Sequence, residues 1–266
     1  MTAPRVIATD LDGTLLGPRG ALTDRTRTAL RAARAQGVAL VAVTARPPRV
    51  FQEWTALAAA LDTAICANGA MVYDPAGQAV TASRTLPAET AAMAAKALRT
   101  ALPSLRFAVE TGFEVVAETG YAKVDSVGDR RTFRDSLTEA LAAAPQVVKL
   151  LAHVDGGEAD LLLAAARGLD LAGVDLSHSG GAGLLEIGPA GVTKAGTLAA
   201  WCAGRGIGPE AVVAFGDAPN DVPMLAWAGR SFAVANAHPE AAAAATDRCG
   251  SNLDDGVAAA VEALLR

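Results

Sequence analysis

The sequence of 266 residues predicts an α/β fold, a doubly wound parallel-sheet core carrying an inserted α+β cap domain. Three observations lead there. Near both ends of the chain, strand-like and helix-like stretches alternate, the rhythm of parallel strands joined by crossover helices. Between them, strands come in adjacent pairs, which suggests an antiparallel unit. Polar residues directly follow apolar strands in the alternating parts, at the sheet edge where open α/β folds hold ligands. The implied division is a discontinuous core of 1–82 and 188–266 with a cap of 83–187 inserted near the sheet's ligand edge.

Taken in order, Val6-Ile7-Ala8-Thr9 is a short apolar strand halted by Asp10-Leu11-Asp12 and turned by Gly13-Thr14. Thr23 or Asp24 caps a helix through about Gln36, with Gly37 as its stop. Val38–Val43 is a continuous apolar run, as in a strand buried on both faces, and it ends at Thr44-Ala45-Arg46-Pro47. A helix over Val50–Ala60 precedes a third strand, Thr63–Ala67, which ends at Asn68-Gly69. Met71–Tyr73 and Gln78–Val80 read as a hairpin around Asp74-Pro75-Ala76-Gly77.

In the cap region, helices are expected over Ala88–Leu102, Arg131–Ala143 and Glu158–Arg167. Strands are expected at Leu105–Glu110, Phe113–Glu118, Val147–His153, Val174–Ser179 and Leu184–Ile187. Gly180-Gly181-Ala182-Gly183 lies between antiparallel strands, so it reads as a hairpin loop and not as a dinucleotide fingerprint. The alternating rhythm resumes with a helix over Lys194–Ala203, a strand Val212–Phe215 ending at Gly216-Asp217, and a helix near Val222–Ala228. A strand at Phe232–Val234 and two helices close the chain.

Composition narrows the function classes. Hydrophobic residues make up 52% of the chain, which excludes a disordered protein, and the net charge of −5 offers nothing to nucleic acid or an anionic membrane. Cys66, Cys202 and Cys249 are far apart and odd in number, so they read as reduced core thiols. No signal-peptide pattern or membrane-length apolar run is visible, so the sequence predicts a soluble, cytoplasmic protein with no obligate protein partner.

The chemistry concentrates after the strands. Asp10 and Asp12 are spaced so that an extended segment sends both carboxylates to one side. Thr44 follows the second strand, and Asp217, Asn220 and Asp221 follow the strand Val212–Phe215. With Lys194, these residues place four carboxylates against one ammonium in one crevice. Such a cluster needs a divalent cation, and an all-oxygen donor set selects magnesium. An EF-hand loop fails on spacing, because Leu15 stands where its glycine is needed. With magnesium present, one carboxylate can attack phosphorus while its neighbour moves protons. His153, His178 and His238 are isolated in sequence, and only His178, within Ser177-His178-Ser179, is a candidate for facing the core. Arg46 and Asn68 follow core strands and are candidates for the leaving-group side.

Asp10-Leu11-Asp12-Gly13-Thr14, Thr44, Lys194 and Gly216-Asp217-Ala218-Pro219-Asn220-Asp221 resemble the four ordered motifs of the haloacid dehalogenase superfamily. The hairpin followed by an insert, with Gly191-Val192-Thr193-Lys194 and Asn252-Leu253-Asp254-Asp255-Gly256-Val257 later, is similar to its Cof-type phosphatases (class II, type B). The resemblance covers nearly the whole chain and implies a Rossmann-like core. It implies Asp10 as nucleophile, Asp12 as general acid/base, and Thr44, Lys194 and Asn220 as phosphate binders. It implies Mg2+ held by Asp10, Asp12 through its backbone carbonyl, Asp217 and Asp221. The substrate would be a small phosphorylated metabolite such as a sugar phosphate. Pro219 before Asn220 and Ala195 after Lys194 depart from the family pattern without removing a catalytic side chain. A phosphomutase or phosphotransferase would share every motif, and a catalytically idle binding module is the reading from outside enzymology.

Overall fold

The computed structural model describes residues 4–123, 127–180 and 183–266. The first part runs β1 (Val6–Thr9), α1 (Asp24–Ala35), β2 (Ala39–Val43), α2 (Thr55–Ala58), β3 (Thr63–Cys66), β4 (Met71–Asp74) and β5 (Ala79–Ser83). Then come α3 (Ala88–Ala101), β6 (Arg106–Glu110), β7 (Val115–Glu118), β8 (Arg131–Arg134), α4 (Leu137–Ala143), β9 (Lys149–His153), α5 (Ala159–Arg167), β10 (Val174–Ser177) and β11 (Leu184–Pro189). The chain closes with α6 (Lys194–Ala203), β12 (Val212–Gly216), α7 (Val222–Trp227), β13 (Arg230–Ala233), α8 (Pro239–Ala244), β14 (Asp247–Arg248) and α9 (Gly256–Leu264).

Among the described residues the strands form two sheets. The eight-stranded sheet has the order β14-β13-β12-β1-β2-β3-β4-β5. It is parallel from β14 to β3, and β4 and β5 add an antiparallel edge. At its centre, Thr9 of β1 lies beside Phe215 of β12 and Ala42 of β2. Three strands therefore end nearly level, and the loops that follow them open into one crevice. Alternate residues bury opposite faces. Ile7, Leu40 and Val213 pack with Leu30 of α1 and Val261 of α9, whereas Val6, Ala8 and Val41 pack with Leu198 of α6 and Met224 of α7. This is the doubly wound core expected from the apolar runs.

The six-stranded sheet has the order β10-β11-β9-β6-β7-β8. One face, with Phe107, Val109, Leu150, Leu185 and Ile187, packs with Leu98 of α3, Ala140 of α4 and Leu163 of α5. The other face carries Ala108, Val115, Ala117, Leu151 and Leu184. On that face Lys149 donates to the Ala45 carbonyl (2.8 Å), so it is turned towards the core.

Several elements differ from the sequence expectations. The helix expected over Val50–Ala60 is a 3-10 turn, Pro48–Gln52, followed by the short α2. Trp54, at φ −85° and ψ 55°, separates them, and its ring lies 5.7 Å from the Arg46 guanidinium. Arg49 within the turn is wholly buried, donating to Glu110 (2.5 Å) and to the Gly128 carbonyl. The helix expected over Arg131–Ala143 splits too. Arg131–Arg134 pairs with β7 in parallel, so the cap sheet is not purely antiparallel. Thr132 and Phe133 favour a strand, and Ser136 starts the helix by accepting the Glu139 N–H (3.3 Å). The two-residue β14 was not anticipated. Of the Gly180–Gly183 loop, Gly181 and Ala182 lie outside the described residues, and the flanking β10 and β11 are antiparallel. Among the described residues, no helix is long and apolar enough to cross a membrane.

The Arg49–Glu110 pair joins the core turn to the cap sheet, with both side chains essentially inaccessible. Removing one member strands a buried charge. Arg49→Ala is expected to lower unfolding stability by about 3–5 kcal/mol in denaturant titration. A loss below about 1 kcal/mol would show that solvent reaches Glu110 in solution.

Candidate active site

The site is built from loops that follow β1, β2, β3 and β12, and from the start of α6. Asp10 leaves β1 with its backbone still paired, its N–H donating to the Phe215 carbonyl (3.0 Å). Gly13 then turns the chain at φ +82°. A Cβ there would sit 2.5 Å from Asp217 Oδ2, so only glycine lets the two loops approach this closely. Thr14 donates its hydroxyl to Asp217 Oδ1 (2.6 Å). Asn236 and Asn252 brace the same loop, donating to the Gly13 and Leu16 carbonyls (2.8 Å each).

Lys194 is the first residue of α6, after Thr193, whose hydroxyl accepts the Gly196 N–H (3.0 Å). Its ammonium donates to Asp10 Oδ1 (2.6 Å) and Asp221 Oδ1 (2.7 Å), all three side chains being buried. Asp221 Oδ2 accepts the backbone N–H groups of Asp217 (3.1 Å) and Ala218 (3.0 Å), which fixes the loop after β12. Burial disfavours the charge of Lys194, but Asp10 and Asp221 outweigh it and hold the ammonium above its usual range. For Asp10, burial is the largest effect. Together with Asp221 and Asp217 it raises the carboxyl well above the ordinary range, against the opposing pull of Lys194. Burial, then Asp221, pushes Asp217 up to about 6.

Carboxylate oxygens of Asp10, Asp217 and Asp221 lie within 4.8 Å of one another. With Lys194 between two of them, the cluster retains two net negative charges when ionised. Hard oxygen donors, mutual proximity and raised proton affinities fit a divalent cation, which would replace protons as the neutralising charge. The Asp12 side chain stands apart from this cluster. It accepts two bonds from Arg46, at 2.9 and 2.8 Å.

The remaining candidates divide between two cavities. Asp10, Asp12, Thr44, Arg46 and Asn220 line one of about 170 Å³, roofed by cap residues that include Glu110, Lys149 and Glu186. Thr44 is buried there, its hydroxyl accepting the Arg46 N–H (3.0 Å). Asn68, Lys194 and His178 line a neighbouring cavity of about 550 Å³ that shares Lys149, Glu186 and Asn220 with the first. Asn68 sits where Ala67, Asn68 and Gly69 all have positive φ, a bend that turns its amide to the buried Glu186 carboxylate. Asn220 donates its amide to Asn68 Oδ1 (3.0 Å), so the NH2 group expected to hold phosphate is engaged with a neighbour. The ring of His178 is also engaged: Nδ1 accepts the Gly180 N–H (3.2 Å), which leaves Nε2 to donate to Asp160 (2.9 Å).

Thr14 stands within the first motif with no role of its own read from it, whereas Lys149, Glu186 and Asn236 did not emerge from the sequence. Glu186 accepts from Lys149 (3.1 Å), Ser179 (2.9 Å) and Asn68. Burial works against its charge, but Lys149 leads the interactions that hold the Glu186 carboxyl below its usual range. Nothing in spacing marks these residues, because their partners are distant in the chain.

The chain belongs to the haloacid dehalogenase-like hydrolases, whose family model matches residues 7–261. It is 31% identical to the pyridoxal phosphate phosphatase YbhA of Escherichia coli, over 96% of each chain. It is 30% identical to the 5-amino-6-(5-phospho-D-ribitylamino)uracil phosphatase YwtE of Bacillus subtilis, over 98% of each. Among solved structures, SMU.1108c of Streptococcus mutans superposes with a TM-score of 0.86 at 22% identity, covering 99% of both chains. The protein is a phosphatase of this family, with the core and inserted cap of its Cof-type members.

Crowded carboxylates that fit a divalent cation predict a stability that depends on metal and pH. Magnesium at about a hundred times its dissociation constant is expected to add about 2.7 kcal/mol. That corresponds to a rise of roughly 5–10 °C in Tm. Asp217→Asn should abolish most of the rise. Without metal, the raised Asp217 carboxyl contributes stability below its ordinary value, which is lost as pH climbs through about 6. Thermal scans from pH 4 to 8, with magnesium or with chelator, check both signs.

Proposed function

Starting from membership of this phosphatase family, we propose that the chain is a magnesium-dependent phosphomonoesterase for a small phosphorylated metabolite. A sugar phosphate is the substrate class we favour, and Asp10 carries the phosphoryl group in the intermediate. The observation that carries the reading is the buried Asp10 carboxylate, held 2.6 Å from Lys194 at the floor of the 170 Å³ cavity.

In this reading the phosphoryl group enters between Asp10 and Thr44. An Asp10 oxygen bonds to phosphorus as the ester P–O bond breaks, and Asp12 protonates the departing alkoxide. Asp12 then takes a proton from water, whose oxygen attacks phosphorus and releases inorganic phosphate from Asp10. Lys194 fixes the nucleophile, and Thr44 offers its hydroxyl to a phosphoryl oxygen. Asp10, the Asp12 carbonyl and Asp217, with Asp221 in support, would hold a magnesium ion, which would supply neutralising charge at the reacting oxygens. Asp12 cannot be both an acid and the acceptor of two bonds from Arg46. Entry of the substrate must therefore loosen that pair, and the phosphate is itself an alternative partner for the guanidinium.

Residues 1–82 and 188–266 act as the catalytic core in this proposal, and 83–187 as the cap. The last core-sheet strand of the first segment runs to Ser83 and the last cap-sheet strand to Pro189, which supports a division near those residues. A cavity of this size, roofed by Lys149, Glu186 and Ser179, suits a small hydroxylated leaving group. YwtE, named for a phosphorylated ribityl compound, is consistent with that class.

Phosphate release from a panel of phosphometabolites, with and without magnesium, tests the reading. Turnover should require the metal. Asp10→Asn should leave no measurable turnover, and Asp12→Asn should lower kcat by about 10²–10⁴. Absence of phosphate release from every member, generic aryl phosphates included, would refute it.

A further inference from the structure

The cap side of the catalytic cavity holds more positive charge than its own carboxylates use. Lys149, Glu110, Val115 and Arg131 are cross-strand neighbours in one row, from β9 through β6 and β7 to β8. All four line the 170 Å³ cavity, as do Tyr121 and Lys123. Along this row the first two charges are matched. Lys149 pairs with Glu186 (3.1 Å), and Glu110 pairs with Arg49 from the core (2.5 Å).

At the far end the balance differs. Arg131 reaches Asp129 with one terminal nitrogen (3.1 Å), while its Nε is buried with no partner among the described residues. The Arg131 side chain is only 9% exposed, and its guanidinium lies 5.2 Å from the Tyr121 ring and 5.9 Å from that of Phe133. Lys123 is half-buried and has no ion-pair partner among the described residues. His153 does not compensate. Burial, together with Lys123 and Arg131, lowers its proton affinity against the opposing effect of Asp155. A buried donor without an acceptor beside a second cation is an arrangement that folding alone disfavours.

In the phosphomonoesterase reading the scissile phosphate sits with Asp10 and Thr44 at the core side of the 170 Å³ cavity, so a leaving group held within that cavity reaches this end. We propose that Arg131 and Lys123 bind a second anionic group on the leaving-group portion of the substrate, a carboxylate or another phosphate. The inference rests on the phosphomonoesterase reading and narrows its substrate class to phosphorylated acids or bisphosphates. A guanidinium stacked on an aromatic ring keeps a fixed plane, which suits a planar carboxylate or two phosphate oxygens. A neutral leaving group would leave the Arg131 Nε unsatisfied and Lys123 facing no charge.

Two matched pairs of probes test this: 3-phosphoglycerate against glycerol 3-phosphate, and fructose 1,6-bisphosphate against fructose 6-phosphate. Phosphate release by the wild type with magnesium tests the phosphatase reading. Calorimetric binding to Asp10→Asn, which cannot turn substrate over, tests the inference separately. The acidic member of at least one pair should bind about tenfold tighter or better, the scale of a bond to a charged group. Lys123→Gln and Arg131→Gln should each cut that preference to about threefold or less, and Lys123→Arg should retain it. A preference within the first pair alone assigns a carboxylate, and within the second alone a phosphate. Equal binding within both pairs overturns the inference even where phosphate is released. So does an equal weakening of both members in the Lys123→Gln variant, which decides the matter if Arg131→Gln fails to fold. A preserved preference in Asp10→Asn with no phosphate released by the wild type would sink the phosphatase reading and leave the anion site standing.

Discussion

The Lys194 ammonium, 2.6 Å from Asp10 and 2.7 Å from Asp221, holds together loops that begin some two hundred residues apart in the chain. Each carboxylate is expensive to bury alone, and so is the ammonium. Together they define where β1, β12 and the start of α6 must meet. The position of Lys194 is unusual for a cation, because the N-terminus of a helix repels positive charge. Two carboxylates outweigh that repulsion. The same residues then have no spare neutralising charge for Asp217, which is why the cluster suits a metal.

A second set of buried polar contacts relates the cap sheet to this floor. Lys149 reaches the Ala45 carbonyl, Glu186 reaches Asn68, and Asn68 in turn accepts from Asn220. The chain of bonds thus runs from the cap through the loop after β3 to the loop that carries Asp217 and Asp221. Arg49 and Glu110 add a buried pair across the same seam. These contacts place the polar face of the cap sheet over Asp10 and leave its apolar face to α3, α4 and α5. Because strand residues alternate, one sheet supplies both a hydrophobic core for the cap and a polar roof for the site.

Much of the core was legible from the chain alone. Val6–Thr9 and Val38–Val43 have no polar face, which only a strand covered on both sides tolerates. Thr23 and Gly37 bound α1 as capping chemistry requires, and Gly37 takes φ +80°. The cap was harder. Arg131–Arg134 shares a helical spacing with Leu137–Ala143, yet its β-branched and aromatic residues complete a sheet edge. Ser136-x-x-Glu139 has the form of a helix start signal, and α4 begins there once the strand has ended. The break at Trp54 comes from tertiary contacts, since Arg46 lies against its ring and Arg49 is drawn into the interior towards Glu110.

The sequence by itself determined the reaction family and the location of its carboxylates. Asp10, Asp12, Lys194 and Asp217 belong to local motifs, and each motif carries its own turn and strand signals. Only the tertiary structure decided how those carboxylates divide. It sent Asp12 to Arg46, placed Asp10, Asp217 and Asp221 around one point, and turned Asn68 to Glu186. Pairings of that kind depend on loops brought together by sheet order, and spacing along a chain does not encode them. The roof of the cavity, from Lys149 to Arg131, is likewise a property of strand register. Its charges lie far apart in sequence and become one row only when β9, β6, β7 and β8 align.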